Sequence, residues 1–289
     1  MPGSFRALEN ETFGLYESGK YRDALDLLDA QSGEFTELGH RCKIAFFRAC
    51  LLARSGSPDA ALDVLETGVS EGLWWSPEML DDSDLDPCRG ERRNRIIEQS
   101  RGQVAPPSCL VDDAGPAAPV LLALHGGGVC VTEHDNPWAA ARSVGWTICR
   151  PISSQRRGAG LATWTNLDDA VEECRTHLDR IERIDAIGSF SLGGSLALRL
   201  ITEVVDVPVV MVAPSLRESV VANIARGAST AQVDITTGQH DPFLESTRTG
   251  VAQLQDAGAD VRLEIVPGVA HDFPPDFDQR LTGLLARRT

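Results

Sequence analysis

The sequence predicts an α/β fold, in which helices cover both faces of a mostly parallel sheet, preceded by a small all-helical domain. Up to about residue 100, the apolar residues recur with the period of a helix, and no stretch has a convincing strand pattern. After residue 107, short apolar runs rich in β-branched residues alternate with helical stretches, as in a parallel sheet with crossover helices. We therefore place a helical domain and linker at 1–106 and a second domain at 107–289.

Composition excludes several classes of protein. The chain has 289 residues, of which 42% are hydrophobic and 24% charged, the usage of a globular protein. It lacks the run of about 18 apolar residues that a membrane-spanning helix needs. The net charge of −15 opposes binding to nucleic acid and to anionic membranes, and no basic patch offsets it. The first residues do not form a signal peptide, so we expect a cytoplasmic protein.

The cysteines and histidines do not indicate a metal site. The seven cysteines are scattered without a Cys-x-x-Cys pair, the usage of a reducing compartment, where cysteine packs as a small hydrophobic residue. Neither they nor the six histidines have the close spacing of metal ligands, and we expect no metal and no cofactor. The aspartates within 81–86 lack the glycine and terminal glutamate of a calcium loop, so helix capping is the favoured role.

The helical region contains an internal repeat. The stretches 19–28 and 56–65 are similar, begin 37 residues apart with a glycine, and follow predicted helices at 4–17 and 38–54. This half resembles a tetratricopeptide array, whose period is about 34 residues and which binds peptides or proteins in a groove. Because two repeats are too few for an independent solenoid, we favour an amphipathic helical cap packed on the second domain.

Strands and helices alternate after a short helix predicted at 91–100. The predicted strands are 119–124, 145–149, 184–188, 207–213, 232–236 and 261–266. The predicted helices are 135–143, 165–182, 192–204, 216–228, 244–257 and 275–286. In parallel sheets, functional residues collect at the carboxyl ends of the strands.

The strongest functional signal is Ser191, in the run GSFSLGG at 188–194. It follows a predicted strand and precedes a predicted helix, which is the context of a nucleophile elbow. The sharp turn requires small residues two positions before and after the nucleophile. Ser189 and Gly193 meet that requirement, although glycine is usual at the first position. The alternative is a glycine-rich turn that only packs a strand against a helix.

A serine hydroxyl becomes a good nucleophile when a base removes its proton and a carboxylate orients that base. His271 stands after the last predicted strand and before the final helix, where the order serine, acid, histidine of this motif places the base. Asp241, in the loop after the fifth strand, is the acid candidate. Its competitors are Asp272, which adjoins the histidine, Asp234, which falls in a strand, and Asp276.

A glycine triplet supplies the third motif. The run HGGG at 125–128 directly follows the first predicted strand and matches a loop whose amides form part of an oxyanion hole. Gly126 or Gly127 is expected to give one amide, and Leu192 the other. His125, Gln155 and Trp164 follow strands at the same edge of the sheet, and we expect them to line the substrate pocket.

With these three ordered motifs, residues 107–289 resemble an α/β-hydrolase. The resemblance implies a serine hydrolase that cleaves a carboxylic ester, or a related acyl bond, of a small-molecule substrate through an acyl-enzyme without a cofactor. The stretch between the fourth and fifth strands is too short for an inserted lid, as in compact carboxylesterases and dienelactone hydrolases. A dienelactone hydrolase has a cysteine nucleophile, so the serine disfavours that substrate class.

Two alternatives stay open at this point. One is a serine peptidase or amidase that uses the same triad. The other is a tetratricopeptide-like binding protein whose hydrolase half is inactive, against which the intact set of Ser191, Asp241 and His271 argues.

Overall fold

Two units make up the chain in the computed structural model of the protein. The helical unit comprises Met1–Ala105, Gly128–Glu133 and Arg156–Ala162. The sheet unit comprises Pro106–Gly127, His134–Gln155 and Thr163–Thr289. The residues that the structure describes are 5–100, 103, 105–131, 136–181, 183–224 and 231–286.

Helices dominate the first unit. Its α-helices among the described residues are α1 (Phe5–Glu17), α2 (Tyr21–Gln31), α3 (Leu38–Arg54), α4 (Pro58–Ser70), α5 (Pro77–Leu80) and α6 (Glu91–Ser100). Short 3-10 helices lie at Ser32–Glu34 and Ser83–Cys88. The helices predicted at 38–54 and 91–100 are confirmed, and α1 matches the one predicted at 4–17 from residue 5 onward.

The turns that follow α1 and α3 are built alike, as the repeat in the sequence suggests. Gly19 and Gly56 have φ angles of +70° and +82°, in the left-handed region that glycine adopts without steric cost. In both turns, the residue after the glycine donates its amide to a carbonyl in the last turn of the preceding helix at 2.9 Å. Ala24 and Ala61 are fully buried, so the small residues lie where helices pack closely.

The core of the helical unit continues into the segment after α4. Trp75 is fully buried, and its indole N–H donates to the carbonyl of Cys42 at 3.0 Å. In the aspartate cluster, Asp82 caps a 3-10 helix by accepting the amide of Asp84 at 2.9 Å. Asp84 is itself buried and accepts the hydroxyl of Tyr16 at 3.0 Å, so only part of this cluster is solvated.

The described strands form two sheets. In chain order they are β1 (Ser108–Asp112), β2 (Val120–Leu124), β3 (Val129–Cys130), β4 (Thr147–Ile152), β5 (Arg156–Gly158), β6 (Leu161–Ala162), β7 (Ala186–Phe190), β8 (Val209–Val212), β9 (Val233–Gly238) and β10 (Val261–Val266). A small antiparallel sheet of order β3-β6-β5 belongs to the helical unit. The sheet unit holds a seven-stranded sheet of order β1-β4-β2-β7-β8-β9-β10.

The large sheet is mostly parallel, as the sequence predicts. Only β1 runs antiparallel to its neighbour, and the register of the parallel pairs includes Ile187 opposite Val209. Its α-helices are α7 (Leu167–Ile181), α8 (Gly193–Glu203), α9 (Glu218–Ile224), α10 (Leu244–Asp256) and α11 (Phe277–Leu285). In the described parts of the chain, no helix is long and apolar enough to cross a membrane.

Apolar residues cover both faces of this sheet. Strand β2 is buried at all five positions, because its side chains alternate between two cores. Leu122 and Leu124 pack with apolar residues of α7, α8 and α10 on one face. Leu121 and Ala123 pack with residues of α11 on the other. The predicted arrangement of helices on both faces of the sheet is therefore confirmed.

Some elements differ from the prediction. Strand β1 is mostly exposed and lies at the sheet edge, so it lacks the buried apolar run by which the other six strands of the large sheet were predicted. A 3-10 helix at Ala139–Val144 replaces most of the α-helix predicted at 135–143. Helix α9 begins at Glu218, two residues later than predicted, and residues 225–228 of the helix predicted at 216–228 lie outside the described residues.

One pair of cysteines is bonded, which their scattered positions in the sequence did not predict. Cys109 on β1 and Cys149 on β4 form a disulfide across neighbouring antiparallel strands. The two residues are 40 positions apart in the sequence, and the pairing of β1 with β4 brings them together. Among the described residues, five further cysteines are buried and form no disulfide, at positions 42, 50, 88, 130 and 174.

Candidate active site

Ser191 occupies the turn between β7 and α8. Its φ angle is +50°, in a region that non-glycine residues rarely adopt and that stores backbone strain. The amide of Ser191 donates to the carbonyl of Val212 at 3.1 Å, and its own carbonyl accepts the amides of Gly194 and Ser215, both at 2.9 Å. These three hydrogen bonds fix the strained turn on the adjacent strand and helix.

The residues around this turn have to be small. A Cβ atom at Gly193 would stand 2.7 Å from the carbonyl oxygen of His125, and one at Gly126 would stand 3.1 Å from the Cβ of Ser191. Both distances are below ordinary van der Waals contact. Ser189, at the position where glycine is usual, is 0% exposed, and its hydroxyl has no hydrogen-bond partner among the described residues.

The structure brings Ser191, His271 and Asp241 into one chain of hydrogen bonds. The Nε2 atom of His271 lies 2.9 Å from Oγ of Ser191. Its Nδ1 atom lies 3.0 Å from Oδ2 of Asp241. Because a carboxylate only accepts, Nδ1 carries the proton and Nε2 is free to accept the serine hydroxyl.

The adjacent parallel strands β9 and β10 explain why the acid and the base meet. Asp241 lies in the loop after β9, and His271 in the loop after β10, so both lie at the same edge of the sheet. The two loops are bonded to each other through the amide of His240, which donates to the carbonyl of Val269 at 2.9 Å. A Cβ atom at Gly238 would stand 2.2 Å from that carbonyl, so the loops also pack closely there.

Asp241 is held as a carboxylate. Its burial raises the pKa, but hydrogen bonds from His271, from the amide of Phe243 at 2.8 Å and from the hydroxyl of Thr237 at 3.1 Å outweigh this. The pKa of Asp241 therefore lies below its ordinary value, and the group is ionised at neutral pH.

The competing acids serve other partners. Asp276 accepts Nε of Arg280 at 2.7 Å, and Asp272 accepts the amide of the next residue at 2.7 Å. Asp234 lies within β9. Of the four carboxylates considered, Asp241 is the one bonded to His271.

The glycine loop lies against the turn that holds Ser191. A Cβ atom at Gly127 would lie 3.5 Å from Cδ2 of Leu192, and the corresponding atom at Gly126 would touch Ser191. Within the described part of the chain, the amides of Gly126, Gly127 and Leu192 donate no hydrogen bond. Amide donors left unpaired next to a nucleophile are suited to bind a developing negative charge.

His125 and Trp164 stack on each other at the start of this loop. The His125 ring stacks on Trp164 at 4.3 Å, and the indole N–H of Trp164 donates to the carbonyl of His125 at 2.9 Å. Nδ1 of His125 donates to the carbonyl of Gly126 at 2.7 Å, and Nε2 accepts the amide of Ser153 at 3.4 Å. The ring is thus held by contacts within the protein.

Gln155 is engaged with the backbone of Asn166. Its side-chain amide donates to the carbonyl of Asn166 at 2.8 Å and accepts the amide of the same residue at 2.7 Å. These two hydrogen bonds join the side chain of Gln155 to the loop before α7. Substrate contact by His125, Gln155 and Trp164 stays a prediction.

Sequence reasoning missed the aromatic residues around the histidine. Phe190 and Phe243 each have ring centres 5.2 Å from that of His271, and Phe190 stacks on Phe273 at 4.8 Å. Their places in the sequence carried a signal, since each lies within two residues of a predicted site residue: Phe190 beside Ser191, Phe273 near His271 and Phe243 near Asp241.

Comparisons with known proteins agree with this fold. Residues 4–101 match a family described as the A/B hydrolase-like N-terminal domain. A comparison with curated protein sequences found no match. An uncharacterized protein from Bacillus cereus ATCC 10987 is 22% identical with a TM-score of 0.54, over 99% of this chain and 99% of that one.

Two shorter proteins of known type are similar to part of the chain. The esterase PE8 is 15% identical with a TM-score of 0.53, over 65% of this chain and 100% of its own. Acyl-protein thioesterase 2 from Zea mays is 15% identical with a TM-score of 0.50, over 63% of this chain and 98% of its own. The protein thus has the α/β-hydrolase fold, preceded by a region that matches the A/B hydrolase-like N-terminal domain.

Proposed function

We propose that the protein is a serine hydrolase that cleaves a carboxylic ester, or a related acyl bond, through an acyl-enzyme. The observation that carries the proposal is the unbroken chain of hydrogen bonds from Ser191 through His271 to Asp241. A strained serine turn, an imidazole and a buried carboxylate in this order are the parts that acyl transfer requires.

In the first step, Oγ of Ser191 attacks the carbonyl carbon while Nε2 of His271 takes the hydroxyl proton. Asp241 keeps the Nδ1 proton in place and stabilises the imidazolium that forms. The carbonyl oxygen becomes an oxyanion, which the amides of Leu192 and of Gly126 or Gly127 stabilise.

The imidazolium then gives its proton to the leaving oxygen as the bond to the acyl carbon breaks. The alcohol departs and leaves the acyl group on Ser191. Water attacks this acyl-enzyme as His271 takes one of its protons, and that proton returns to Oγ of Ser191 when the acid is released. The cycle consumes one water and restores each side chain.

The solved structures are consistent with this proposal. One of the similar proteins is an esterase and another is an acyl-protein thioesterase, and both names describe hydrolysis of an acyl bond. At identities of 15% they do not indicate which acyl compound this chain accepts.

A fluorophosphonate probe and short-chain p-nitrophenyl esters test the proposal. We expect the protein to be labelled on Ser191 and to hydrolyse the esters, and Ser191→Ala to abolish labelling and to lower kcat by about 10⁴-fold or more. Ser189→Ala is the matched control, since it removes a buried hydroxyl two residues away that has no partner among the described residues. Turnover that survives Ser191→Ala, or no labelling of the native protein, would refute the proposal.

Anilides of the same acyl group separate an esterase from an amidase. An amide leaving group needs protonation before it departs, so a triad tuned for esters cleaves p-nitroanilides far more slowly than p-nitrophenyl esters. Comparable kcat/KM values for the two would instead identify the peptidase or amidase alternative.

A further inference from the structure

One solvent-exposed aromatic ring lies against the histidine of the site. Phe243 is 40% exposed, and its ring meets that of His271 edge to face, with 5.2 Å between the centres. The second ring near the imidazole, Phe190, packs instead into the apolar cluster with Phe273. A single exposed phenylalanine is common on protein surfaces, but this one lies beside the histidine of the candidate site.

The backbone of Phe243 is fixed on both sides. Its amide donates to Oδ1 of Asp241 at 2.8 Å, the same carboxylate whose other oxygen contacts His271. Its carbonyl accepts the amide of Thr247 and the hydroxyl of Ser246, both at 2.8 Å, at the start of α10. An apolar surface on a fixed backbone binds a partner with little loss of conformational entropy.

The proposed acyl transfer determines which part of a substrate reaches this ring. His271 must pass a proton to the leaving oxygen, so the alcohol group departs from the side of the imidazole. Phe243 contacts that imidazole, whereas the carbonyl oxygen is assigned to the amides of Leu192 and of Gly126 or Gly127. We infer that Phe243 contacts the alcohol group of the bound ester, and that the enzyme prefers esters whose alcohol group is apolar and bulky. This inference rests on the proposed function.

Two esters with the same acyl group isolate this contact. Methyl butanoate and benzyl butanoate give the same acyl-enzyme, so only acylation, reported by kcat/KM, depends on the alcohol group. We expect Phe243→Ala to lower kcat/KM for the benzyl ester about tenfold, equivalent to about 1.4 kcal/mol, and that for the methyl ester less than about twofold. Phe243→Leu, which restores part of the apolar surface, should recover part of the preference.

Phe13→Ala provides the control, because Phe13 is also an exposed phenylalanine but belongs to α1. It should leave the benzyl-to-methyl ratio of kcat/KM unchanged. An equal loss on both esters in Phe243→Ala and Phe243→Leu would overturn the inference, because it would mean that the ring acts only on His271. Unchanged rates would overturn it as well. If the native protein shows no hydrolysis that depends on Ser191, the proposed function fails instead, and this inference fails with it.

Discussion

Replacing Asp241 by Asn tests the assignment of the acid with almost no change in shape. The side chain of Asp241 is completely buried, and three donors point at its carboxylate. Whichever way an Asn amide is turned, its NH₂ group faces either the Phe243 amide or the His271 ring. The arrangement that keeps the bond to Phe243 forces Nδ1 of His271 to become the acceptor.

The proton of His271 then moves to Nε2, which faces Oγ of Ser191 at 2.9 Å. A nitrogen that already carries a proton cannot take the one on the serine hydroxyl, so base catalysis is lost while the positions of the atoms change little. The loss of the correct tautomer in such a triad costs about 10⁴ in kcat, equivalent to about 5.5 kcal/mol in the barrier.

Steady-state hydrolysis of a p-nitrophenyl ester measures this effect, and circular dichroism checks that the variant is folded. Asp272→Asn is the matched control, because it makes the same change beside His271 in a carboxylate bonded to its own neighbour. We expect that control to keep kcat within about threefold. If Asp272→Asn were the more damaging substitution, the assignment of Asp241 as the acid would be wrong.

Three further predictions follow from close packing and from pKa shifts. Gly126→Ala places a Cβ atom 3.0 Å from Cδ1 of Phe190, and we expect kcat to fall about 10²-fold, with a much smaller loss in Gly127→Ala, whose nearest neighbour lies at 3.5 Å. Burial raises the pKa of Cys42 and Cys174 to about 12, so at about pH 8 a disulfide reagent should modify neither until the protein is denatured, as mass spectrometry can show. Burial, with a smaller effect of Arg180, lowers the pKa of His177, so the folded state resists protonation of this ring. The free energy of unfolding in urea should be highest at pH values above the ordinary histidine pKa of 6.5. It should decline as the pH falls from there towards the lowered pKa, by at most about 1.4 kcal/mol per pH unit. A His177→Gln variant that keeps the full decline would contradict this prediction.

The sequence predicted the strands whose burial in the core requires a run of apolar residues. Strands such as β2 and β8 were predicted because their apolar runs are bounded by turn residues. The site could be predicted from chain order, because the loops after parallel strands meet at one edge of a sheet. Ser191, Asp241 and His271 were therefore found to be neighbours although the sequence separates them by tens of residues.

The features that were not predicted depend on tertiary contacts. Strand β1 is exposed, and β3, β5 and β6 have two or three residues each, too few for a periodic pattern. The Cys109–Cys149 disulfide depends on β1 lying beside β4. The exposure of Phe243 beside His271 depends on how the loop after β9 folds back, which residue order alone does not specify.

The helical unit includes segments from two later parts of the chain, and this limits how the protein can be divided into fragments. A fragment that starts near residue 107 still contains Gly128–Glu133 and Arg156–Ala162, which belong to the helical unit. It would expose Cys130, Ala159 and Leu161, which are buried in the core of that unit, and so be prone to aggregate. A fragment that ends near residue 107 would lack the short strands β3, β5 and β6, which complete the core of the helical unit. The roles of the two units are therefore best separated by point substitutions in the intact chain.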